Sequence, residues 1–329
     1  PPMDLEFQIL HSNLTNPTLL FFLLGILAVR LKSDLEIPAQ SIKFISLYLL
    51  FAIGFKGGQE LAHSHINAEV IYSAFFGLFI SSIIPFYTFF ILKKKLSVSD
   101  AAAVAAAYGS VSAVTFVAAV SFLEMQKISF GGHMVAIMAL MESPAIIIGV
   151  ILLMKFEKSS SGERSISFKK LLHHSFTNGS VLLILGSLVI GFIADTKQAE
   201  GIKPFTTDIF KGFLVIFLLE MGMVTAKRFG AFLKYGWFVS LFAILIPAIN
   251  GCTVAWGSQF ITHDIGNRFI FAILASSASY IAVPAAMRLA APKSDPGLYV
   301  PMALGVTFPF NITIGIPLYY FIISITSKL

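Results

Sequence analysis

The stretch Ala101–Glu124, AAAVAAAYGSVSAVTFVAAVSFLE, opens as a run of alanines and other small apolar residues long enough to enter a bilayer. At its middle it turns polar, through Tyr108, Gly109, Ser110, Ser112 and Thr115, and then becomes apolar again. A second stretch, Phe271–Ala291, FAILASSASYIAVPAAMRLAA, does the same. Laying Gly109–Ala119 under Ser276–Ala286 puts Ser110 with Ser277 and Ser112 with Ser279. The Ala118-Ala119 and Ala285-Ala286 pairs fall into register at the same offset of 167 residues (277 − 110). Small residues in an apolar segment also serve as a close-packing face between helices, with serine or threonine bonding back to its own turn. Two interrupted apolar segments at matching places in two halves, the second with Pro284 inside it, favour a pair of broken helices around a transporter binding site. Unwound backbone at membrane depth is tolerated only where it is buried in protein or lines a watery cavity.

Composition sets the class. The chain has 329 residues, 57% of them hydrophobic and only 12% charged, against about 25% charged in soluble domains. With a mean hydropathy of +0.85 it reads as an all-α integral membrane protein, since apolar runs of about 20 residues are helical spans and not the short alternating strands of a barrel. The single Cys252 rules out an internal disulfide framework or a multi-cysteine metal site. No charged leader precedes a short apolar core and cleavage site, so no removable signal peptide is expected. The net charge of +6 is no nucleic-acid signal, because the basic residues sit between spans.

Ten spans are expected, at about 17–31, 37–55, 69–92, 99–123, 130–154, 178–195, 205–225, 236–259, 267–290 and 298–325. Alternate loops carry 16 of the 23 Lys and Arg, among them Arg30, Lys32, Lys93-Lys94-Lys95, Lys155, Lys227 and Lys293. The opposite side has 7: Lys56, Lys127, Lys197, Lys203, Lys211, Arg268 and Lys328. Basic residues favour the cytoplasmic side, so both termini are expected outside. Lys155–Thr177 is the one long polar segment; its Ser-Ser-Ser-Gly centre reads as a flexible cytoplasmic linker. It divides the chain into residues 1–154 and 178–329, five spans each, and an odd number of spans per half turns the second half upside down: a 5+5 inverted repeat.

Ionisable groups inside spans are functional candidates. Glu142, in MESPAIIIGV, is the clearest. It reads either as a protonated structural carboxyl or, the reading we favour, as a cation ligand or proton carrier. The corresponding region of the second half, Thr307–Asn311, supplies a proline, a hydroxyl and an amide but no carboxylate. Lys56 and Glu220 occupy equivalent places when Gly58 is laid on Gly222; they either neutralise one another or snorkel to the interface. Glu124 and Lys127 read as a solvated turn.

Seven passages in chain order, NPTLLFFLLG, LEIPAQSIKFISLYLLFAIGFKGG, GSVSAVTFVAAVSFLEMQKI, MESPAIIIGV, LLEMGM, ASSASYIAVPAAMRLAAPKSDPGLYV and TIGIPLYYF, together resemble the sodium-dependent bicarbonate transporters of the SbtA type. The resemblance covers nearly the whole chain except the linker. It implies ten spans in a core and a gate domain, a homotrimer, and two broken, crossing helices, the fourth and ninth spans, holding the anion and sodium between them. Ser110, Ser112, Thr115, Ser276, Ser277 and Ser279 match the family's break positions. Glu142 falls where members typically carry aspartate, and Tyr280 falls where an aspartate typically follows the serines, so one acid is missing. Some members bind a PII-like protein from the cytoplasm, of which this sequence gives no independent sign.

The expected function is a secondary transporter of a small anion, bicarbonate by resemblance, coupled to sodium in a bacterial inner (plasma) membrane. Half-helix N-termini present free N–H groups to an anion, with Ser110, Ser112, Thr115, Ser277, Ser279 and Tyr280 as substrate ligands. Glu142, Ser276, Thr307 and Asn311 are the cation ligands. A sodium- or proton-coupled carrier of a small monocarboxylate or another small solute is the alternative, and a passive channel a lesser one. No nucleotide-binding motif, H-E-x-x-H or Gly-x-Ser-x-Gly elbow is present, so no enzyme and no nucleic-acid partner are expected.

Overall fold

A computed structural model describes residues 17–63, 67–157, 179–232, 235–280, 283, 286–287 and 290–327. The linker from residue 158 to 177, Pro284, Ala285, Arg288 and Lys328 lie outside the described residues. No strand occurs among those described. The helices are α1 (Pro17–Arg30), α2 (Ala39–His63), α3 (Ala68–Leu92), α4 (Val98–Gly109), α5 (Ala113–Met125) and α6 (His133–Phe156). After the linker come α7 (Gly179–Ile193), α8 (Thr196–Lys203), α9 (Phe210–Phe232), α10 (Trp237–Gly257), α11 (Ile265–Ser276) and α12 (Pro296–Thr326).

Seven helical stretches are long and apolar enough to cross a membrane, counting Val98–Met125 as one. Three shorter apolar ones, Leu19–Arg30, Leu182–Ile193 and Ile265–Ser276, overlap the first, sixth and ninth expected spans. Large apolar side chains such as Phe75, Phe79, Leu241, Leu245 and Ile249 stay exposed on α3 and α10, as hydrocarbon-facing surfaces do. Val98–Met125 differs from the other six long stretches. Its apolar window is 94% buried, against 39–61% for the other six, so the stretch that carries the repeated serines is the centre of the molecule. An alanine-rich helix suits that place, because side chains without bulk let neighbours close on every face.

The helices form two packs. In one, α1 lies along α9 and α2 along α7, with α2 also touching α9. These crossings are close because glycines make them. A β-carbon on Gly25 would run into the Leu219 carbonyl oxygen, and one on Gly222 into that of Phe22. A β-carbon on Gly58 would meet the Leu188 carbonyl, and one on Gly191 that of Phe55. The first helix of each half therefore packs on the second membrane helix of the other half. Gly222→Leu is expected to wedge α1 off α9 and to destabilise the protein by about 1–3 kcal/mol. Gly186→Leu, whose added atoms meet open space, serves as the control. Thermal unfolding in detergent would check the difference.

The second pack holds α3 to α6 with α10 to α12. Ser97 caps α4 by accepting from the Asp100 N–H (3.0 Å), and Asp264 caps α11 by accepting from that of Asn267 (2.7 Å). Both residues of each cap stand 167 positions apart, the offset of the serines. Each capped helix then receives a loop from the other half. Asn267 Oδ1 accepts from the Gly131 N–H (2.7 Å), and Asp100 Oδ1 accepts from the Asp295 N–H (2.8 Å). In the loop before α10, the Tyr235 hydroxyl donates to Asp295 Oδ2 (2.7 Å), and this bond to a carboxylate, with some burial, pushes the phenol up to about 12.

Two charge readings change. Lys56 pairs with Glu124 (2.9 Å), which also lies 3.4 Å from Lys211; neither Glu220 nor a free solvated turn is involved. Arg268 is only 2% exposed, where charge counting put it among loop residues. It donates to the Ala255 carbonyl (3.0 Å) and to the hydroxyls of Thr326 (2.6 Å) and Ser327 (2.8 Å). A guanidinium there meets the carbonyl-rich C-terminal ends of α10 and α12, where a cation is favoured.

Candidate functional site at the two helix interruptions

α4 stops at Gly109, Ser110 and Ser112 are extended, and α5 starts at Ala113 with Ser112 as its cap, accepting from the Thr115 N–H (3.2 Å). α11 stops at Ser276, and Ser277 is extended in the same way. Val283 is helical again, its N–H 3.4 Å from Ser279 Oγ. Each interruption leaves backbone groups without helical partners, and the two interruptions satisfy one another. The Ser112 N–H donates to Ser277 Oγ (2.9 Å), and the Ser279 N–H donates to the Ala107 carbonyl (2.8 Å). Ser110, Ser112, Thr115, Ser276, Ser277 and Ser279 are all buried, none more than 4% exposed.

The cross-links are not symmetric. Ser277 Oγ accepts from Ser112 and donates to the Leu274 carbonyl (2.9 Å). Its counterpart Ser110 Oγ, equally buried, has no hydrogen-bond partner among the described residues. The Tyr280 hydroxyl faces Ser112 without completing a hydrogen bond, and it too is buried. A buried hydroxyl without a protein partner keeps bonding capacity for a water or a ligand.

Around the crossing stands a polar frame from the second half. Pro247, inside α10, has no N–H, which leaves the Ala243 carbonyl one turn earlier without its helical donor. The Thr307 hydroxyl donates to that carbonyl (2.7 Å) and lies 2.7 Å from the Tyr108 hydroxyl, which, with the Thr307 proton so used, is the donor. The Asn311 amide donates to the Ser276 carbonyl (2.8 Å), and its oxygen accepts from Tyr319 (3.2 Å). Thr307 and Asn311 sit in two π turns of α12, Ala303–Thr307 and Asn311–Gly315, and such widened turns recur at functional sites. Among the described residues no three His, Cys, Asp or Glu come together as a metal-ligand group. A cation at this crossing would be held by carbonyl and hydroxyl oxygens, with few carboxylates. Glu142 is half-buried in α6, which packs along α4 through Gly149, and makes no hydrogen bond or ion pair among the described residues.

The family model of the Na+-dependent bicarbonate transporter superfamily matches residues 17–324, from the first described helix almost to the end of α12. The chain belongs to that superfamily. No curated protein matches it.

For a member of this superfamily, the structure brings together nine of the ten expected ligands: the serines, Thr115 and Tyr280 at the crossing, and Thr307 and Asn311 in the frame. Glu142 is not joined to them by any bond. Tyr108, read only as part of the polar break, and Tyr319 were not among the expected ligands. Both are buried tyrosines whose hydroxyls do the framing, and Tyr108 in the YGS tripeptide at the interruption was the available signal. Thr307→Val is expected to orphan the Ala243 carbonyl and the Tyr108 hydroxyl, costing about 1–3 kcal/mol each. Thr307→Ser should retain most of that stability, and thermal unfolding of the pair would check it.

Proposed function

We propose that the chain is a secondary active transporter that carries a small anion, bicarbonate, together with sodium by alternating access. The reading is carried by one observation: two interrupted helices, both buried and bonded to each other, hold two hydroxyls, Ser110 and Tyr280, without partners among the described residues. In this reading the fold is ten spans in a 5+5 inverted repeat. Support comes from the shared offset of caps and serines and from the exchanged glycine crossings. The α1, α2, α7 and α9 pack is the gate, the other pack is the core, and the fourth and ninth spans are the broken helices.

The anion lies against Ser110, Ser112, Thr115, Ser277, Ser279 and Tyr280, where the N-terminal end of α5 offers N–H groups and a partial positive charge. Sodium lies on the carbonyl side with Ser276, Thr307, Asn311 and Glu142. Both termini face outward from a bacterial inner membrane, three copies assemble, and the linker faces the cytoplasm, where a PII-like regulator would dock. Tyr280, standing where the family's aspartate is expected, favours a second reading in which the solute is a small monocarboxylate. Uptake of labelled bicarbonate, formate and acetate into proteoliposomes, with and without an inward sodium gradient, tests both. Sodium-driven bicarbonate uptake is the expected result; uptake indifferent to sodium would leave a channel.

A further inference from the structure

We propose that Lys56 and Lys211 form an entry site for a planar oxyanion at the outer mouth of the transport path, and that the Glu124 carboxylate occupies it as a tethered stand-in while the mouth is closed. This rests on the reading of the chain as an anion transporter with Lys56 outside. Lys56 belongs to α2 and Lys211 to α9, which touch one another in the same pack. Glu124 belongs to the last turn of α5, in the other pack. One carboxylate oxygen, Oε1, lies 2.9 Å from Lys56 Nζ, and the other, Oε2, lies 3.4 Å from Lys211 Nζ. A single O–C–O fork thus spans two ammonium groups. Bicarbonate and the small monocarboxylates present the same fork, with the same spacing and charge.

Two small, open crevices flank the ion pair and share Ile53, Lys56 and Val120. One adds Thr206 and Thr207, and the other adds Glu60. The side chains of Lys56, Lys211 and Glu124 are 42%, 54% and 30% exposed, so water already reaches them and the pairing is weak enough to release. At 1.5 Å per residue, α5 sets Glu124 about 18 Å from the interruption at Ser112. When α5 moves away from α2 and α9, Glu124 leaves while both lysines stay, and an external anion takes its place at the mouth before descending along α5. The closed state is in effect the bound state with the ligand supplied by the protein.

The test is replacement of the missing carboxylate by a free one. Thermal unfolding of detergent-purified Glu124→Ala is followed as potassium formate or bicarbonate replaces potassium chloride at constant ionic strength. The variant should melt below the native chain, and formate or bicarbonate should raise its midpoint by about 2 °C more than they raise that of the native chain. The gain should vanish in Glu124→Ala combined with Lys56→Met. Glu124→Gln, which keeps the shape and loses the charge, serves should the alanine variant fail to fold. No anion-specific gain over the native chain in either variant, or an undiminished gain without Lys56, overturns the entry site. The readout needs no transport, so a native chain that carries no bicarbonate would sink the transport reading and leave this result standing.

Discussion

Glu142→Gln is expected to abolish the sodium dependence of uptake, with residual flux at saturating sodium more than tenfold below the native chain. The carboxylate lies mid-way along α6, half-buried, with no hydrogen bond or ion pair among the described residues. A charge in that position interacts strongly with anything that approaches it, because the surrounding medium screens little. It therefore has most to gain from a cation and least reason to exist without one. The second half offers no carboxylate at the matching place, only Thr307 and Asn311, whose polar groups already brace Ala243 and the Ser276 carbonyl. Glutamine preserves volume and much of the hydrogen bonding, so the loss should appear in sodium titrations of uptake and not in the yield of folded protein. Tyr280→Asp, made in parallel, should steepen the sodium dependence if the remaining ligands of a second cation site persist. Full sodium-driven uptake by Glu142→Gln would remove the residue from the coupling site.

The second large effect separates two serines that look equivalent in the sequence. Ser110→Ala removes a hydroxyl with no partner, so the melting temperature should stay within a degree or so of native. Its expected role is toward a ligand. Loss of a hydrogen bond to a charged group costs on the order of 1.5–3 kcal/mol, or about one to two decades in anion affinity. Ser277→Ala differs, because Ser277 Oγ is the acceptor for the Ser112 N–H. Alanine there strands a buried donor at the start of α5 and should lower stability by about 1–3 kcal/mol as well as weakening the anion. Uptake kinetics and thermal unfolding on the same preparations distinguish the two. Native affinity in Ser110→Ala would assign that serine to packing alone.

The pattern of agreement between chain and structure follows from range. The change from apolar to small and polar residues at Ser110 and at Ser277 is local, so it could be read from the chain; the bond that joins the two stretches, from the Ser112 N–H to Ser277 Oγ across 165 positions, could not. The partner of Lys56 was not legible. Glu124 lies 68 positions away, and repeat symmetry pointed to Glu220, because symmetry relates equivalent places and does not say which places touch. Arg268 was misread for a related reason: charge counting assumes that a cation near a span end reaches water. Here the carbonyl ends of two helices offer it a cheaper partner. Thr307 reads as a cation ligand from its place in the second-half region that corresponds to Glu142; that its hydroxyl also answers a demand from Pro247, 60 positions earlier on another helix, was not legible.

The exchanged crossings, Gly25 with Gly222 and Gly58 with Gly191, bear on how such a chain is made. α1 leaves the ribosome well before α9, the helix it finally lies against, and must wait in lipid until about two hundred residues have followed. α2 waits likewise for α7. Neither half can build the four-helix layer alone; each gives two helices to it and takes their partners on loan from the other. Once both loans are made, the linker no longer holds the halves together. A nick within residues 158–177 should leave two fragments that migrate as one particle, whereas either half synthesised alone should be a substrate for membrane quality control.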